Sequence, residues 1–159
     1  MLKAGDRAPD FSNPDADMNI VELSQFRGKT LVLYFYLRDD TPGCTAEAIE
    51  FSELENDFAK LGAAILGISR DDCIRHGEFR DKHGISVRLL ADKDQTTSNA
   101  YGVLQDKEVD GVMRKSTVRA TFIIDKQGII RHALYGVSSR GHAAEVLQLV
   151  ASMSKGELK

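Results

Sequence analysis

The feature that most constrains the fold is the apolar run Leu31 to Leu37, which stops at Arg38, Asp39 and Asp40 and is followed at once by Thr41-Pro42. A run without polar alternation suits a strand buried on both faces, as in a parallel sheet covered by helices. Thr41-Pro42 reads as a helix start, with Thr41 at the N-cap and Pro42 at the first helical position. Cys44 is then the third helical residue. An N-cap hydroxyl accepts from the N–H of the second or third helical residue, so the Thr41 oxygen is expected against the Cys44 backbone. Unpaired first-turn N–H groups and the helix dipole favour an anion at the same point. A hydroxyl, free donors and a thiolate are therefore expected together at one strand-to-helix junction.

A packing role competes with that reading. Free cysteines are among the most buried residues and usually behave as small hydrophobes. Phe51, Leu54, Phe58 and Leu61 recur at helical spacing, and the same stripe continued backwards reaches Glu47 and Cys44. Glu47 decides between the two readings. An unpaired buried carboxylate is costly, so a glutamate on that stripe implies a polar pocket with a basic partner. Asp39 and Asp40 work in the opposite sense, since negative charge nearby disfavours a thiolate.

The rest of the chain supplies strands and helices in alternation. Met18 to Leu23 can form a strand or hairpin in a loop-rich N-terminal extension. A helix over Pro42 to Leu61 ends at Gly62, and Ala63 to Ser69 is a second buried strand. Asp71 or Asp72 caps a helix running to about Lys82 and stopping near Gly84. Val87 to Ala91 is a short strand, and Asp94 to Ala100 a short helix with Asp92 and Asp94 as caps. Asp110-Gly111 marks a hairpin turn. Thr117 to Ile124 and Gly128 to Tyr135 read as antiparallel strands, and Arg140 to Met153 as an amphipathic helix. The order implies parallel pairing first and an antiparallel hairpin last. Sites in such sheets collect beyond the carboxyl ends of the strands. Cys44 and Cys73 each follow such an end, and lie on one rim if their strands are parallel.

The 159 residues suffice for one domain, 1–159, with a substantial core. A net charge of -3 gives no nucleic-acid surface. The N-terminus lacks the apolar core of a signal peptide, and no apolar run approaches the roughly 20 residues of a membrane span. Two distant cysteines suggest reduced thiols in a cytoplasmic protein. Cys73 and His76 have a spacing seen in metal sites, but no second pair accompanies them, so no metal is expected. His83, His132 and His142 are expected in surface or packing roles.

The segment TPGCT after LVLYFY resembles the active-site segment of the peroxiredoxins, most closely the bacterioferritin-comigratory or peroxiredoxin Q branch. GDRAPDF (Gly5 to Phe11), VELSQFRGK (Val21 to Lys29), ILGISRD (Ile65 to Asp71), AYGV (Ala100 to Val103) and RATFIID (Arg119 to Asp125) extend the likeness in order over nearly the whole chain. The resemblance implies a thioredoxin-like α/β fold, with a mixed central sheet flanked by helices and an N-terminal extension. It implies a thiol peroxidase acting on hydrogen peroxide and organic hydroperoxides, with no cofactor, as a monomer or weak homodimer. Cys44 would be the peroxidatic residue, attacking as thiolate and becoming sulfenic acid. Thr41 and the helix N–H groups would stabilise the displaced oxygen. Arg119 would be the fixed cation, aimed by Glu47. Its bland alternative is a strand-end surface arginine.

Two family features are missing. A proline expected four residues before the threonine is Leu37 here. The resolving cysteine that relatives place five residues after the first, or in the next helix, falls at Ile49 or Arg80. Cys73 is the remaining candidate, two helical turns before Arg80 and about 10 Å nearer the helix start. A disulfide needs Cα atoms within roughly 7 Å, so bridging Cys44 to Cys73 calls for local unwinding. Either Cys44 acts alone with an external thiol, or Cys73 resolves it before thioredoxin reduces the disulfide. The empty family positions favour the first. A thiol–disulfide oxidoreductase is disfavoured because Thr45-Ala46-Glu47 holds no second cysteine. The third alternative is a non-catalytic thioredoxin-like binding domain.

Overall fold

The computed structural model describes residues 1–157. Strands β1 (Ser12–Pro14) and β2 (Ile20–Glu22) pair as an antiparallel hairpin in the N-terminal extension. β3 (Thr30–Phe35) follows, then α1 (Pro42–Lys60), β4 (Ala63–Ser69), α2 (Cys73–His83), β5 (Arg88–Ala91) and α3 (Thr96–Ala100). A second hairpin joins β6 (Leu104–Val109) to β7 (Val112–Thr117). β8 (Ala120–Ile124), β9 (Ile130–Tyr135) and α4 (His142–Glu157) complete the order.

The central sheet has five strands in the order β5-β4-β3-β8-β9. β3, β4 and β5 are parallel, and β8 and β9 run antiparallel to their neighbours. This is the mixed, helix-flanked thioredoxin-like sheet that the resemblance implies. β3 lies in the middle, and every one of its residues is buried. Its pleat sends Val32 and Tyr34 into one core with Phe51 and Phe58 of α1, Phe79 of α2 and Val146 of α4. Leu31, Leu33 and Phe35 face a second core with Phe11, Leu66, Tyr101 and Phe122.

Local signals set the element ends. Asp72 caps α2 by accepting from the Arg75 N–H at 2.9 Å, and Gly84 ends it in the left-handed conformation. Asp92 accepts from the amides of Thr97 and Ser98 at 3.1 and 2.6 Å, and Asp94 from that of Thr96. Asp110 and Gly111 both take positive φ, 52° and 78°, as a tight hairpin turn requires.

Two expectations are corrected. The strand expected to reach Leu37 ends at Phe35, and Leu37 is exposed, because backbone pairing to β4 stops at the Tyr36 N–H. Thr117 closes β7 instead of opening the next strand, since its register partner is Leu104 across the hairpin. The last two strands pair antiparallel as expected, and β8, between β3 and β9, joins them to the central sheet.

One close approach also shapes the sheet. Gly67 of β4 is the register partner of Tyr34, whose ring crosses over it; a Cβ there would lie 2.7 Å from the ring. That gap lets Tyr34 stack on Phe51, with centroids 4.6 Å apart, fixing α1 over the strand that leads into it.

Candidate active site

α1 begins at Pro42, so Cys44 is its third residue, at the carboxyl end of β3. Cys44 is buried among Tyr34, Ala48 and Phe51, as the packing reading expects. It is also held by a charge. Arg119, just before β8, donates from Nη2 to Cys44 Sγ at 3.3 Å and from Nη1 to Glu47 Oε1 at 2.6 Å. The Arg119 backbone is anchored by its carbonyl, which accepts from the amides of Gly136 and Val137. Glu47 is fully buried and Arg119 only 15 % exposed, so this is an interior ion pair with the sulfur as its third member.

The electrostatics follow from that burial. Burial pushes the Glu47 carboxyl up to about 7, against the pull of the Arg119 charge and its hydrogen bond. Oε2 of Glu47 has no hydrogen-bond partner among the described residues. Burial works against the Arg119 charge, but Glu47 and Cys44 outweigh it, and the guanidinium is held above its ordinary value. Burial, then the Glu47 and Cys44 charges, push the Tyr34 phenol well above its ordinary value, so it stays neutral beside the sulfur.

Thr41 departs from the expected cap. Its backbone is extended as an N-cap's should be, but its side chain makes no capping bond to the helix. The hydroxyl turns back and donates to the Arg38 carbonyl at 2.9 Å. That carbonyl lies in a turn through Asp40, whose φ is 63°. With its hydrogen committed, the Thr41 oxygen offers lone pairs. Among the described residues, the Gly43 and Cys44 amides have no backbone acceptor. Acceptor and donors thus stand within the first turn that carries Cys44.

The two aspartates expected to oppose a thiolate are occupied elsewhere. Asp39 is buried, takes the Tyr36 hydroxyl at 2.5 Å and meets His76 Nδ1 at 2.6 Å. His76 Nε2 donates to the Leu90 carbonyl at 2.8 Å. Asp40 pairs with Lys82 and His83, each at 2.7 Å. The loop before α1 is therefore pinned to α2 by both carboxylates. Asp39, Asp71 and His76 stand close enough to suggest metal ligands. Their atoms are already committed: both His76 nitrogens as above, and Asp71 to the Asp39 amide, Ser69 and Arg75.

Cys73 is not brought to this site. It opens α2, half-buried, in a cleft with Ser12, Asn13, Ala91 and Lys93. Burial and the neighbouring Asp72 and Asp15 charges push its thiol up, the reverse of the activation a helix start would suggest. Of the other family positions, Ile49 is half-buried against the core, and Arg80 pairs with Asp17 and Asp81 on the surface.

Sequence reasoning missed Gly43 and Ser139. A Cβ on Gly43 would lie 3.2 Å from Ser139 Oγ and 3.4 Å from Arg119 Nη2, so the glycine admits both groups to the first turn of α1. The Ser139 loop is tied to the same helix by the Gly141 amide, which donates to Glu50 at 2.7 Å. A glycine at the second helical position was the available signal. His76 was missed as a partner because nothing local pairs it with Asp39.

The chain is similar in sequence and fold to known proteins. The AhpC/TSA family profile matches residues 4–133. The chain is 38% identical over 154 residues to peroxiredoxin Bcp of Bacillus subtilis, covering 97% of this chain and 98% of that one. It is 34% identical over 153 residues to the chloroplastic peroxiredoxin Q of rice, covering 96% of this chain and 68% of that one. A similar solved structure is the Xanthomonas campestris bacterioferritin comigratory protein, studied for alkyl peroxide reduction through a trapped intermediate and ligand complexes. It has a TM-score of 0.88 and 33% identity, over 91% of this chain and 92% of that one. The BcpB protein of Mycobacterium tuberculosis superposes with a TM-score of 0.85 at 30% identity, over 96% and 98% of the two chains.

Proposed function

The chain belongs to the AhpC/TSA family, in its bacterioferritin-comigratory or peroxiredoxin Q branch, and is a thiol peroxidase; from that premise we propose that Cys44 is its peroxidatic residue. The Cys44 thiolate attacks the terminal oxygen of a hydroperoxide. The O–O bond breaks, Cys44 becomes sulfenic acid, and the departing alkoxide or hydroxide takes a proton and leaves as alcohol or water. Hydrogen peroxide and alkyl hydroperoxides are the substrates.

The observation that carries this reading is the guanidinium of Arg119, 3.3 Å from the sulfur and 2.6 Å from the buried Glu47. It stabilises the thiolate and faces the charge that develops on the peroxide oxygens. Thr41, its hydrogen held by Arg38, accepts the hydrogen of the peroxide O–H and so orients the attacked oxygen. The free amides of Gly43 and Cys44 complete the oxyanion donors. Glu47 positions Arg119 and does not touch the substrate.

The sulfenic acid is cleared by an outside thiol. One thiol condenses with it, releasing water and forming a mixed disulfide; a second thiol displaces Cys44. Thioredoxin or a small thiol can serve. Cys73 is not assigned the resolving role, because it lies in a separate cleft with its thiol pushed up. We read the chain as one cytoplasmic domain, monomeric or weakly dimeric, which agrees with two cysteines that are both free. No described helix is long and apolar enough to cross a membrane.

Stopped-flow peroxide consumption tests the assignment. Cys44→Ser should consume none. Activity retained in that variant refutes it.

A further inference from the structure

A cleft of about 370 Å³ is lined by residues that flank Thr41 and Arg119 in the chain. Leu37 and Arg38, just before Thr41, form one wall, and Thr117, just before Val118 and Arg119, reaches the other. The Arg38 carbonyl already holds the Thr41 hydroxyl. Into the same cleft come Arg70 from the end of β4, and Lys107 and Arg114 from the β6–β7 hairpin.

Arg38, Lys107 and Arg114 are exposed and Arg70 is half-buried, and the four line one cleft. Arg38, Arg70, Lys107 and Arg114 have no carboxylate partner among the described residues. Nearby Lys115 does have one, Asp106 at 2.8 Å. Asp71, the acidic group in the cleft, is committed to the Asp39 amide, Ser69 and Arg75. Lys107 and Arg114 are direct cross-strand partners, an arrangement of like charges that destabilises a hairpin. Alternation along the strands puts Lys107, Val109 and Arg114 on one face. A chain of net charge -3 thus lines one hollow with four cations that have no carboxylate partner among the described residues. The hollow suits an anion, and Leu37 and Val109 give it an apolar edge.

We propose that this cleft is the docking subsite of the reductant, and that the reductant is a small thiol carrying carboxylates. The inference rests on the peroxidase reading above and names the thiol that closes its cycle. The other thiol of the chain, Cys73, opens a different cleft, so each turnover needs two visits by an outside thiol. Carboxylates held by Arg38, Arg70, Lys107 and Arg114 place that thiol at the mouth of the Cys44 pocket. The same cations favour its thiolate, the form that attacks sulfur. In the first visit the thiolate forms an S–S bond to Cys44 as the S–O bond breaks, and the oxygen leaves as water with the thiol and sulfenic protons. In the second, another thiolate takes the bound one as disulfide and returns Cys44 to thiolate.

The test uses the double variant Lys107→Glu/Arg114→Glu. It reverses the field of the cleft yet keeps like charges opposite each other, so the hairpin is no more strained than before. The chain has no tryptophan, so the reaction is followed by quench, dimedone capture and intact mass. Protein oxidised with one equivalent of hydrogen peroxide is mixed with mercaptosuccinate, 2-mercaptoethanol or cysteamine at low ionic strength. Comparing variant with wild type for each thiol cancels intrinsic nucleophilicity. The rate constant for mercaptosuccinate should fall about tenfold or more, that for cysteamine should rise, and that for 2-mercaptoethanol should stay within about twofold. Oxidation by hydrogen peroxide should be unchanged. The proposal is overturned if the three thiols shift alike or not at all. It is equally overturned if the variant slows oxidation by a carboxylate-bearing hydroperoxide and leaves mercaptosuccinate untouched, because the subsite is then the peroxide's. If hydrogen peroxide leaves Cys44 unoxidised in the wild type, the peroxidase reading fails first and the proposal with it.

Discussion

Glu47→Gln gives a prediction whose size and sign both come from the structure. Glu47 is fully buried, and its carboxyl is pushed from 4.5 up to about 7, chiefly by burial. Below about pH 4.5 the acid is protonated in the folded and the unfolded chain and contributes nothing to the pH dependence. Between 4.5 and 7 the unfolded chain releases the proton while the folded chain keeps it, so stability falls as pH rises. Above 7 both forms are ionised and the loss stays constant. The interval corresponds to about 3 kcal/mol. Gln keeps the shape and an acceptor for Arg119 Nη1 but cannot titrate. Urea unfolding of wild type and variant at about pH 4 and about pH 8 measures the difference, in which every other titrating group cancels. Relative to wild type, the variant should gain about 3 kcal/mol between the two pH values. Equal pH dependence in the two proteins would refute the reasoning. Such a cost in a residue that positions Arg119 is a stability-for-activity exchange.

The remaining predictions concern neighbouring positions. Gly67→Ala puts a Cβ 2.7 Å from the Tyr34 ring and should cost about 1–3 kcal/mol in urea unfolding; a cost below about 0.5 kcal/mol would contradict the packing described. Gly43→Ala, with its Cβ 3.4 Å from Arg119 Nη2, should leave the fold intact and lower kcat/KM for hydrogen peroxide about tenfold; unchanged kinetics would remove Gly43 from the site. Thr41→Val should lower the second-order rate of peroxide consumption about 10²-fold without changing the urea midpoint. Cys73→Ser should leave turnover with a small thiol unchanged, and a lost turnover would return the resolving role to Cys73.

What the sequence reveals of this fold is mostly local chemistry. Pro42, Asp72, Gly84 and Asp110-Gly111 set ends and turns through their own backbone preferences, and the elements begin or end there. The buried run from Leu31 identifies the central strand because period-2 alternation is lost when both faces are covered. Its neighbours were less legible. Insertion of β8 between β3 and β9 depends on pairing across the whole chain.

The site divides in the same way. Cys44 on the third helical position and Glu47 one turn later are readable from spacing. Their link to Arg119 came from the family resemblance, since a strand-end arginine alone would be read as solvated. The direction of the Thr41 hydroxyl is not legible from sequence, because N-cap preference describes the average, and here the hydroxyl donates to the Arg38 carbonyl across the turn through Asp40. Asp39 looked like a charge opposing the thiolate. Its partner, His76, lies on another helix, and no local rule links them.

The most direct test of the whole account is peptide mass mapping after one equivalent of hydrogen peroxide in the presence of dimedone. The account predicts the sulfenic adduct on Cys44, no adduct on Cys73, and strong loss of labelling in Arg119→Met. Label on Cys73, or a Cys44 that labels equally well without Arg119, would contradict it.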